Sequence, residues 1–301
     1  MRAGSLTLMT VHAHPDDETS SSGGVIAQAS ARGIHTVLVT VTRGEEGEIL
    51  DPDLDAAEAR HRLGAIREVE LRRAATILGV AELFFLGYRD SGMAGTPENA
   101  NPHNFQNADP DEATGRLVRI IRQTRPDVII TYDERGGYGH PDHIAAHRTT
   151  LAAFDAAGDP ARFAELGLPV WQPRKLYYSV FTQSTFRQLI ELFQRYGTGG
   201  EPAPVEQDIS AFTVPDDAVT ARVDVRSYVL QKQAAFRAHR TQIGADNALI
   251  SAPEDAVQAV LGLETFIRAR SLVPTPQVED DLFTGLDHSL PAHDYELAGA
   301  R

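Results

Sequence analysis

Two clusters of histidine and aspartate, far apart in the chain, contain the side chains that metal-dependent hydrolysis requires. The first is AHPDDE at residues 13–18, and the second is GGYGHPDH at residues 136–143. Zinc accepts imidazole nitrogen and carboxylate oxygen, and a catalytic zinc site has three protein ligands and one open position for water. The two clusters together therefore predict a zinc centre that hydrolyses an acyl bond.

Within the clusters, His14, Asp17 and His143 supply the required number of ligands. Asp16 then remains free as the general base that takes a proton from the attacking water. His140 is expected to stabilise the oxyanion or to protonate the leaving amine. A single His-Pro-Asp tripeptide is ordinarily a turn that caps a helix, but two such motifs after two predicted strands favour the metal site.

The roles of three neighbouring residues are less clear from the sequence. Asp142 either orients a ligand imidazole, as carboxylates around metal sites commonly do, or is an acid placed in the first turn of a helix by the helix dipole. Glu18 is interpreted as such a first-turn acid. Tyr138 either anchors its glycine-rich loop or donates a hydrogen bond to a developing oxyanion.

Residues outside the two clusters are weaker candidates for contact with substrate. Glu46 lies in the acidic run GEEGE, which is either a solvated loop or a contact at the functional edge of the sheet. His239 either caps a helix or lines the site, and the second is slightly favoured. Arg67 lies on a helix rich in arginine, where a surface ion pair is the ordinary interpretation.

Short apolar runs precede both clusters and must position them. Leu6–Val11 predicts the first strand and Val128–Thr131 the fourth. In a doubly wound sheet of order 3-2-1-4-5 these two strands are neighbours at the topological switch point, so both clusters would face one crevice. The alternation of short apolar runs with helical stretches predicts an α/β fold, with a Rossmann-like, mostly parallel sheet flanked by helices. The other predicted strands are Thr36–Val41, Leu83–Leu86, Leu176–Phe181 and Ala221–Val225, and the predicted helices include Gly23–Ala31, Glu58–Leu78, Glu112–Thr124, Gln183–Tyr196, Tyr228–His239 and Ala256–Arg268.

The second half of the chain has a less regular pattern than the first. We therefore expect a Rossmann-like catalytic core over residues 1–182 and an irregular α+β portion over residues 183–301 that packs on the core and helps to shape the substrate pocket. The polar stretch from Tyr88 to Asp109 is long for a loop, and such loops are often functional.

Composition excludes several other classes of protein. The chain has 28 basic and 42 acidic residues, for a net charge of −14, and no block of clustered lysine or arginine that nucleic acid would require. The same acidity disfavours an anionic membrane surface. The absence of cysteine excludes thiolate ligands and disulfides. The polar start and the lack of a long apolar window predict a cytoplasmic protein, with a homo-oligomer left open.

The two motifs together resemble the signature of the PIG-L/LmbE-like zinc deacetylase family. The resemblance extends through GEEGE at 44–48, RDSGMAGT at 89–96 and AHRTQI at 238–243, and it is strongest to the branch that contains the mycothiol-pathway N-acetylglucosaminyl-inositol deacetylase and the mycothiol S-conjugate amidase. It implies the same metal ligands and base as above. It also implies that Tyr138 assists the reaction, and that Arg67 and Asp90 hold sugar or inositol hydroxyls.

The expected activity is zinc-dependent deacetylation of an N-acetylglucosaminide of the N-acetylglucosaminyl-inositol type, with one zinc ion per chain. Iron(II) is an alternative metal, because a site of two histidines and one aspartate accepts either. Alternative substrates are a mycothiol S-conjugate and a bacillithiol precursor. The non-enzymatic alternative is a metal-dependent sugar-binding module, but binding alone does not require an acid such as Asp16 that is not a metal ligand.

Overall fold

A computed structural model describes residues 6–197 and 209–286 of the protein. Strands and helices alternate through the first part of the chain, as the sequence predicts for an α/β protein. The elements in chain order are β1 Thr7–His12, α1 Asp17–Ala31, β2 His35–Thr40, α2 Ala56–Arg60, α3 Leu63–Leu78, β3 Glu82–Phe85, α4 Pro110–Thr124, β4 Val128–Tyr132, α5 Gly136–Gly139, α6 Pro141–Ala157, β5 Lys175–Val180, α7 Gln183–Tyr196, α8 Ile209–Phe212, β6 Ala221–Asp224, α9 Val229–Ala238, α10 Ala248–Ser251, α11 Glu254–Leu261 and β7 Leu263–Ser271.

The strands form one seven-stranded sheet of order β3-β2-β1-β4-β5-β7-β6. β1 to β5 are parallel, in the predicted order, and β7 runs antiparallel to both β5 and β6. β1 is buried along its whole length because helices cover both faces of the sheet. Its neighbours β2 and β4 lie on opposite sides, so the carboxyl ends of β1 and β4 meet at the predicted switch point.

Alternating side chains of the central strands pack into two separate cores. Leu8 and Ile130 belong to the core beneath α1, whereas Met9 and Ile129 belong to the core beneath α4 and α6. This separation follows from the pleat, which directs successive side chains to opposite faces. The helices α1, α3 and α9 contact one another on the first face, and α4 contacts α6 on the second.

Two predicted helices differ from the structure. The predicted helix Glu58–Leu78 is divided into α2 and α3 because the chain leaves helical geometry at Arg62, whose φ is −127°. The predicted helix Ala256–Arg268 is wrong in its second half. There α11 ends at Leu261, and β7 begins beyond Gly262 and hydrogen-bonds to a strand far earlier in the chain.

The two portions expected from the sequence share the same sheet, since β6 and β7 extend the parallel strands beyond β5. The segment after β7 is fixed to this sheet through Glu279, which is fully buried and pairs with Lys175, Tyr177 and Arg268. The boundary expected near residue 182 stays a prediction. Within the part of the chain that the structure describes, no helix is both long and apolar enough to cross a membrane.

Candidate active site

The two sequence motifs meet at the carboxyl ends of β1 and β4. β1 ends at His12, and the following turn leads to Asp17 at the start of α1. β4 ends at Tyr132, and a glycine-rich loop then leads to His143 in α6. The structure thus brings together the three residues predicted as ligands, although His14 and His143 are 129 residues apart in the sequence.

The ligand atoms of these three residues have the mutual spacing of a tetrahedral metal site. Nδ1 of His14 lies 3.2 Å from Nε2 of His143 and 3.3 Å from Oδ2 of Asp17, and Nε2 of His143 lies 3.4 Å from that same oxygen. Zinc bonds to nitrogen and oxygen of about 2.0–2.1 Å in a tetrahedral arrangement would separate the ligand atoms by about 3.3–3.4 Å. The residues present therefore fit a tetrahedral metal ion.

The protonation of the two rings also fits a metal. Nδ1 of His143 lies 3.1 Å from the carbonyl oxygen of Gly136, which can only accept, so this nitrogen carries the proton. Nε2 of His14 lies 3.2 Å from the carboxylate of Asp142 and carries the proton of that ring. The remaining nitrogens have free lone pairs that face each other and the oxygen of Asp17. Three such acceptors in contact repel one another unless a proton or a metal cation lies between them, so the arrangement fits a metal ion.

Asp142 lies in the position expected for a residue that orients a ligand. Its carboxylate is fully buried and accepts hydrogen bonds from the backbone N–H of Ser91, at 2.9 Å, and from the Ser91 hydroxyl. It is therefore held as a hydrogen-bond acceptor against His14. Sequence reasoning missed Ser91, since a serine in a polar loop has no distinguishing pattern.

Asp90, from the same loop as Ser91, lies 3.6 Å from Nε2 of His14. One ligand atom from each of His14, Asp90, His140 and Asp142 lies within 4.8 Å of the others, as does one ring nitrogen from each of His14, His140 and His143.

Asp16, the predicted base, has a strained backbone and a partly exposed carboxylate. Its φ is 110°, in the left-handed region that residues other than glycine rarely adopt, and its side chain is 26% exposed. Its backbone N–H donates to Glu18, and its carboxylate contacts Arg67 at 3.1 Å. Burial raises the pKa of Asp16 to about 6 although Arg67 opposes the change. Strain of this kind concentrates at functional sites, and a pKa near neutrality suits a general base.

His140 lies at the start of α6 and is arranged as a neutral hydrogen-bond donor. Its Nδ1 accepts the backbone N–H of Asp142 at 3.1 Å, so the proton of the neutral ring is on Nε2. Burial, together with the nearby rings of His14 and His143, lowers the pKa of His140 to about 4. At neutral pH this side chain therefore donates a hydrogen bond without carrying charge.

Tyr138 lies on the loop before α6 between two glycines with positive φ, at 69° for Gly137 and 88° for Gly139. The tyrosine is 48% exposed, and its ring packs edge-on against His143, with ring centroids 4.9 Å apart. Partial burial and the neighbouring Asp17 raise the pKa of the Tyr138 phenol, so it keeps its proton. Its position is open to solvent and next to the ligand set.

The residues predicted to contact substrate occupy two different environments. Asp90 lies beside His14, and the neighbouring loop is joined to it by the backbone N–H of Glu46, whose carboxylate pairs with Arg89 at 2.5 Å. Burial raises the pKa of Asp90, but its contact with His14 and the backbone N–H of Gly92 outweigh burial and lower the pKa. Asp90 therefore stays ionised beside His14.

Arg67 and His239 are both buried next to the turn that carries Asp16, and the expectation that they contact substrate stays a prediction. The Arg67 side chain is 4% exposed, and its guanidinium donates to the carbonyls of Pro15 and Gly44 as well as to Asp16. His239 is fully buried and lies 2.8 Å from Glu18. Glu18, interpreted from the sequence as a first-turn acid, also accepts the N–H of Asp16. Arg67 thus contacts the turn that carries Asp16 directly, and His239 contacts it through Glu18.

A cavity of about 160 Å3 opens beside Asp17 and His143. Its polar end is formed by these ligands with Tyr132 and Tyr138. Its other end is apolar and includes side chains from β5, α7 and α8. The residues of this apolar end, called the aromatic wall below, are Val180, Phe181, Phe186, Phe212 and Val214.

Comparison with known proteins gives a family and several relatives. The PIG-L profile, described as GlcNAc-PI de-N-acetylase, matches residues 9–154. A 1D-myo-inositol 2-acetamido-2-deoxy-alpha-D-glucopyranoside deacetylase from Geodermatophilus obscurus is 46% identical over 287 residues, which cover 93% of this chain and 97% of that protein. The protein of the same name from Acidothermus cellulolyticus is 43% identical over 290 residues, covering 93% and 95%.

Solved structures share the fold at lower identity. N,N'-diacetylchitobiose deacetylase from Pyrococcus horikoshii has a TM-score of 0.61 at 20% identity, covering 88% of this chain and 84% of that one. A 4-carboxy-2-hydroxymuconate hydratase from Pseudomonas putida KT2440 has a TM-score of 0.60 at 18% identity, covering 90% and 99%. Because a hydratase has this fold too, the fold alone does not fix the reaction. The high identity to relatives over nearly their whole length shows that the chain belongs to the PIG-L family.

Proposed function

We propose that the protein is a zinc-dependent hydrolase that removes the acetyl group from an N-acetylglucosaminide of the 1D-myo-inositol type. The observation that carries this proposal is the ligand set of His14, Asp17 and His143, with ligand atoms 3.2–3.4 Å apart, next to the unliganded acid Asp16. The names of relatives at 43% and 46% identity support the substrate.

Zinc in this ligand set supplies a Lewis acid that polarises the acyl carbonyl and makes a water molecule more acidic. Asp16 accepts the proton of the attacking water, which its raised pKa and its contact with Arg67 prepare it to do. His140 donates its Nε2 proton in a hydrogen bond to the developing oxyanion, and Tyr138 donates from the open side of the site. The proton on Asp16 then passes to the departing nitrogen, so water and amide become acetic acid, which releases its own proton to solvent as acetate, and free amine.

The sugar belongs on the side of the site formed by Asp90 and Glu46. Both are acceptors for hydroxyl groups, and neither lines the cavity. Asp90 lies beside the outer nitrogen of His14, and Glu46 is next to Asp90, to which its backbone N–H donates. Arg67 contributes indirectly because its guanidinium holds the carbonyl of Pro15 and the carboxylate of Asp16. This arrangement leaves the acyl carbonyl at the ligand set and the glucosamine nitrogen within reach of the base.

The test measures the free primary amine released from three substrates: the inositol N-acetylglucosaminide, N-acetylglucosamine and a mycothiol S-conjugate. The chelated protein is reloaded with zinc or with iron(II), and bound metal is measured in each sample. Zinc-dependent release from the first substrate well above the others is the expected result. Binding of the sugar without amine release under any condition would favour a sugar-binding module instead.

The base is tested by Asp16→Asn, which removes the proton acceptor but leaves the three ligands in place. We expect turnover to fall by about 10²–10⁴-fold while bound zinc is unchanged. Asp111→Asn, at the exposed start of α4, is the matched control and is expected to have wild-type turnover. Near-normal turnover of Asp16→Asn would show that another group takes the proton.

A further inference from the structure

The cavity beside the ligand set is larger and more apolar than an acetyl group requires. Its volume is about 160 Å3. An engineered cavity of about 150 Å3 lined by leucine, isoleucine and phenylalanine holds a benzene ring. The space beside Asp17 and His143 therefore matches a ring or a short alkyl chain rather than a single methyl group.

The aromatic wall is held in place by contacts that also involve the catalytic loop. Phe186 from α7 and Phe212 from α8 stack with ring planes 6° apart and centroids 6.0 Å apart. Arg135, on the loop that follows β4, donates to the carbonyls of Ser210 and Thr213 and so joins that loop to α8. The apolar end of the cavity is thus built into the fold next to Tyr138 and His143.

The geometry of an amide decides which part of the substrate faces this cavity. The carbonyl carbon carries the glucosamine nitrogen on one side and the acyl substituent on the other. The cavity is lined by Asp17 and His143, whereas Asp90 lies on the side of His14 Nε2 with Glu46 next to it, and neither acid lines the cavity. When the sugar hydroxyls are held by those two acids, the acyl substituent points into the cavity.

Resting on the function proposed above, we infer that the protein hydrolyses N-acyl glucosaminides whose acyl group is a short alkyl chain or a phenyl ring, and that the aromatic wall selects for them. Each methylene buried in an apolar site strengthens binding by about fourfold, the equivalent of about 0.8 kcal/mol. The reaction is otherwise the same: water cleaves the C–N bond, releasing the longer carboxylate and the free amine.

The experiment compares zinc-loaded protein on two series of substrates. In the first series the sugar is fixed and the acyl group is acetyl, butanoyl, hexanoyl or benzoyl. In the second the acyl group is acetyl and the aglycone is methyl, hexyl or phenyl. We expect KM to fall by up to about fourfold per added methylene in the acyl series until the cavity is full, and to change little in the aglycone series.

Phe212→Ser tests the aromatic wall, because Phe212 is 38% exposed and its replacement leaves the main cores intact. We expect the ratio of kcat/KM for hexanoyl over acetyl to fall by about tenfold or more, because a large apolar side chain no longer covers the acyl chain. Phe186→Leu keeps an apolar side chain, so it should lower the hexanoyl-to-acetyl ratio by a smaller factor. It replaces Phe212→Ser as the test variant if Phe212→Ser does not fold. Leu230→Ser, which removes an exposed apolar side chain on α9, is the control and should leave the ratio unchanged.

The outcomes separate this inference from the proposed function. Hydrolysis of the acetyl substrate together with rejection of hexanoyl and benzoyl would overturn the inference and leave the function standing. A dependence of KM on the aglycone rather than on the acyl chain would overturn it too, because the cavity would then hold the other end of the substrate. Absence of hydrolysis for every substrate would overturn the function itself.

Discussion

A buried ion pair behind the site provides the sharpest test of what stabilises the fold around α1. Lys232 on α9 donates to Glu264 on β7 at 2.6 Å and to the carbonyl of Ser20 at 3.1 Å. The two oxygens of Glu264 accept the backbone N–H groups of Gly24 and Val25, within α1, at 2.8 Å each. The pair therefore joins three elements at the turn of α1 that follows Asp17.

Burial determines how much each single substitution costs. The side chain of Lys232 is 2% exposed and that of Glu264 is 4% exposed. Lys232→Met leaves a buried carboxylate without its cation, and Glu264→Gln leaves a buried ammonium without its anion. Removing one partner of a buried pair costs about 3–5 kcal/mol. With a urea dependence of about 3 kcal/mol per M, the unfolding midpoint should fall by about 1–1.7 M for either variant.

The double variant distinguishes a coupled pair from two independent contacts. In Lys232→Met/Glu264→Gln neither charge is left unpaired, so we expect its loss of stability to be smaller than the sum of the single losses by at least about 2 kcal/mol. Urea unfolding of the zinc-loaded proteins is followed by circular dichroism and by the fluorescence of Trp171. Arg62→Met, which removes an exposed pair with Glu58, is the control and should cost less than about 1 kcal/mol. Additive losses for the two single variants would refute the reasoning.

Three further predictions concern the metal and the layer of helices on the other face. Asp142→Asn replaces the carboxylate that orients His14 with a neutral amide, whose NH2 group cannot accept all of the hydrogen bonds made by His14 and Ser91. Zinc affinity should therefore fall by about 10–100-fold in competition with a coloured chelator, and unchanged affinity would contradict the orienting role. Removing zinc that is present at about a hundredfold over its Kd takes away about 2.7 kcal/mol of stabilisation. For 301 residues this should lower Tm by about 4 °C, and an identical melt with and without chelator would count against the site. Arg122 is 2% exposed, and its guanidinium donates to five backbone carbonyls in the last turn of α6 and the segment that follows it. Arg122→Met should therefore cost about 3 kcal/mol, seen as a Tm loss of similar size, whereas a shift below about 2 °C would show that water replaces these contacts. The five carbonyls are those of Ala156, Ala157, Asp159, Arg162 and Phe163.

The convergence of the two motifs was predictable because it depends on local pattern and on general rules of topology. The sequence marks both strands by their apolar runs, and parallel strands joined by helices place their carboxyl ends at one edge of the sheet. The order of β1 to β5 then follows from the usual doubly wound arrangement. No long-range pairing had to be known in advance.

Partners that are distant in sequence could not be predicted in the same way. The residues of β7 have local propensities compatible with a helix, and their strand geometry comes from hydrogen bonds to β5 and β6. The sequence marks His239 as a candidate, but its partner Glu18 lies near the other end of the chain. Propensity and periodicity contain no information on such contacts, so the sequence could not pair His239 with Glu18. That His239 contacts substrate stays a prediction.

The DDE run shows most clearly why geometry has to complete the inference from sequence. Asp16, Asp17 and Glu18 are all carboxylic acids, and side chains at successive helical positions point about 100° apart. Asp17 therefore faces the two ligand histidines, while Glu18 faces inward to the fully buried His239. Asp16, outside the helix with φ at 110°, points to Arg67 and is partly open to solvent. Three acids of similar chemistry thus point in three directions at the start of α1, and these directions support the proposed roles of Asp17 as ligand, Glu18 as support and Asp16 as base.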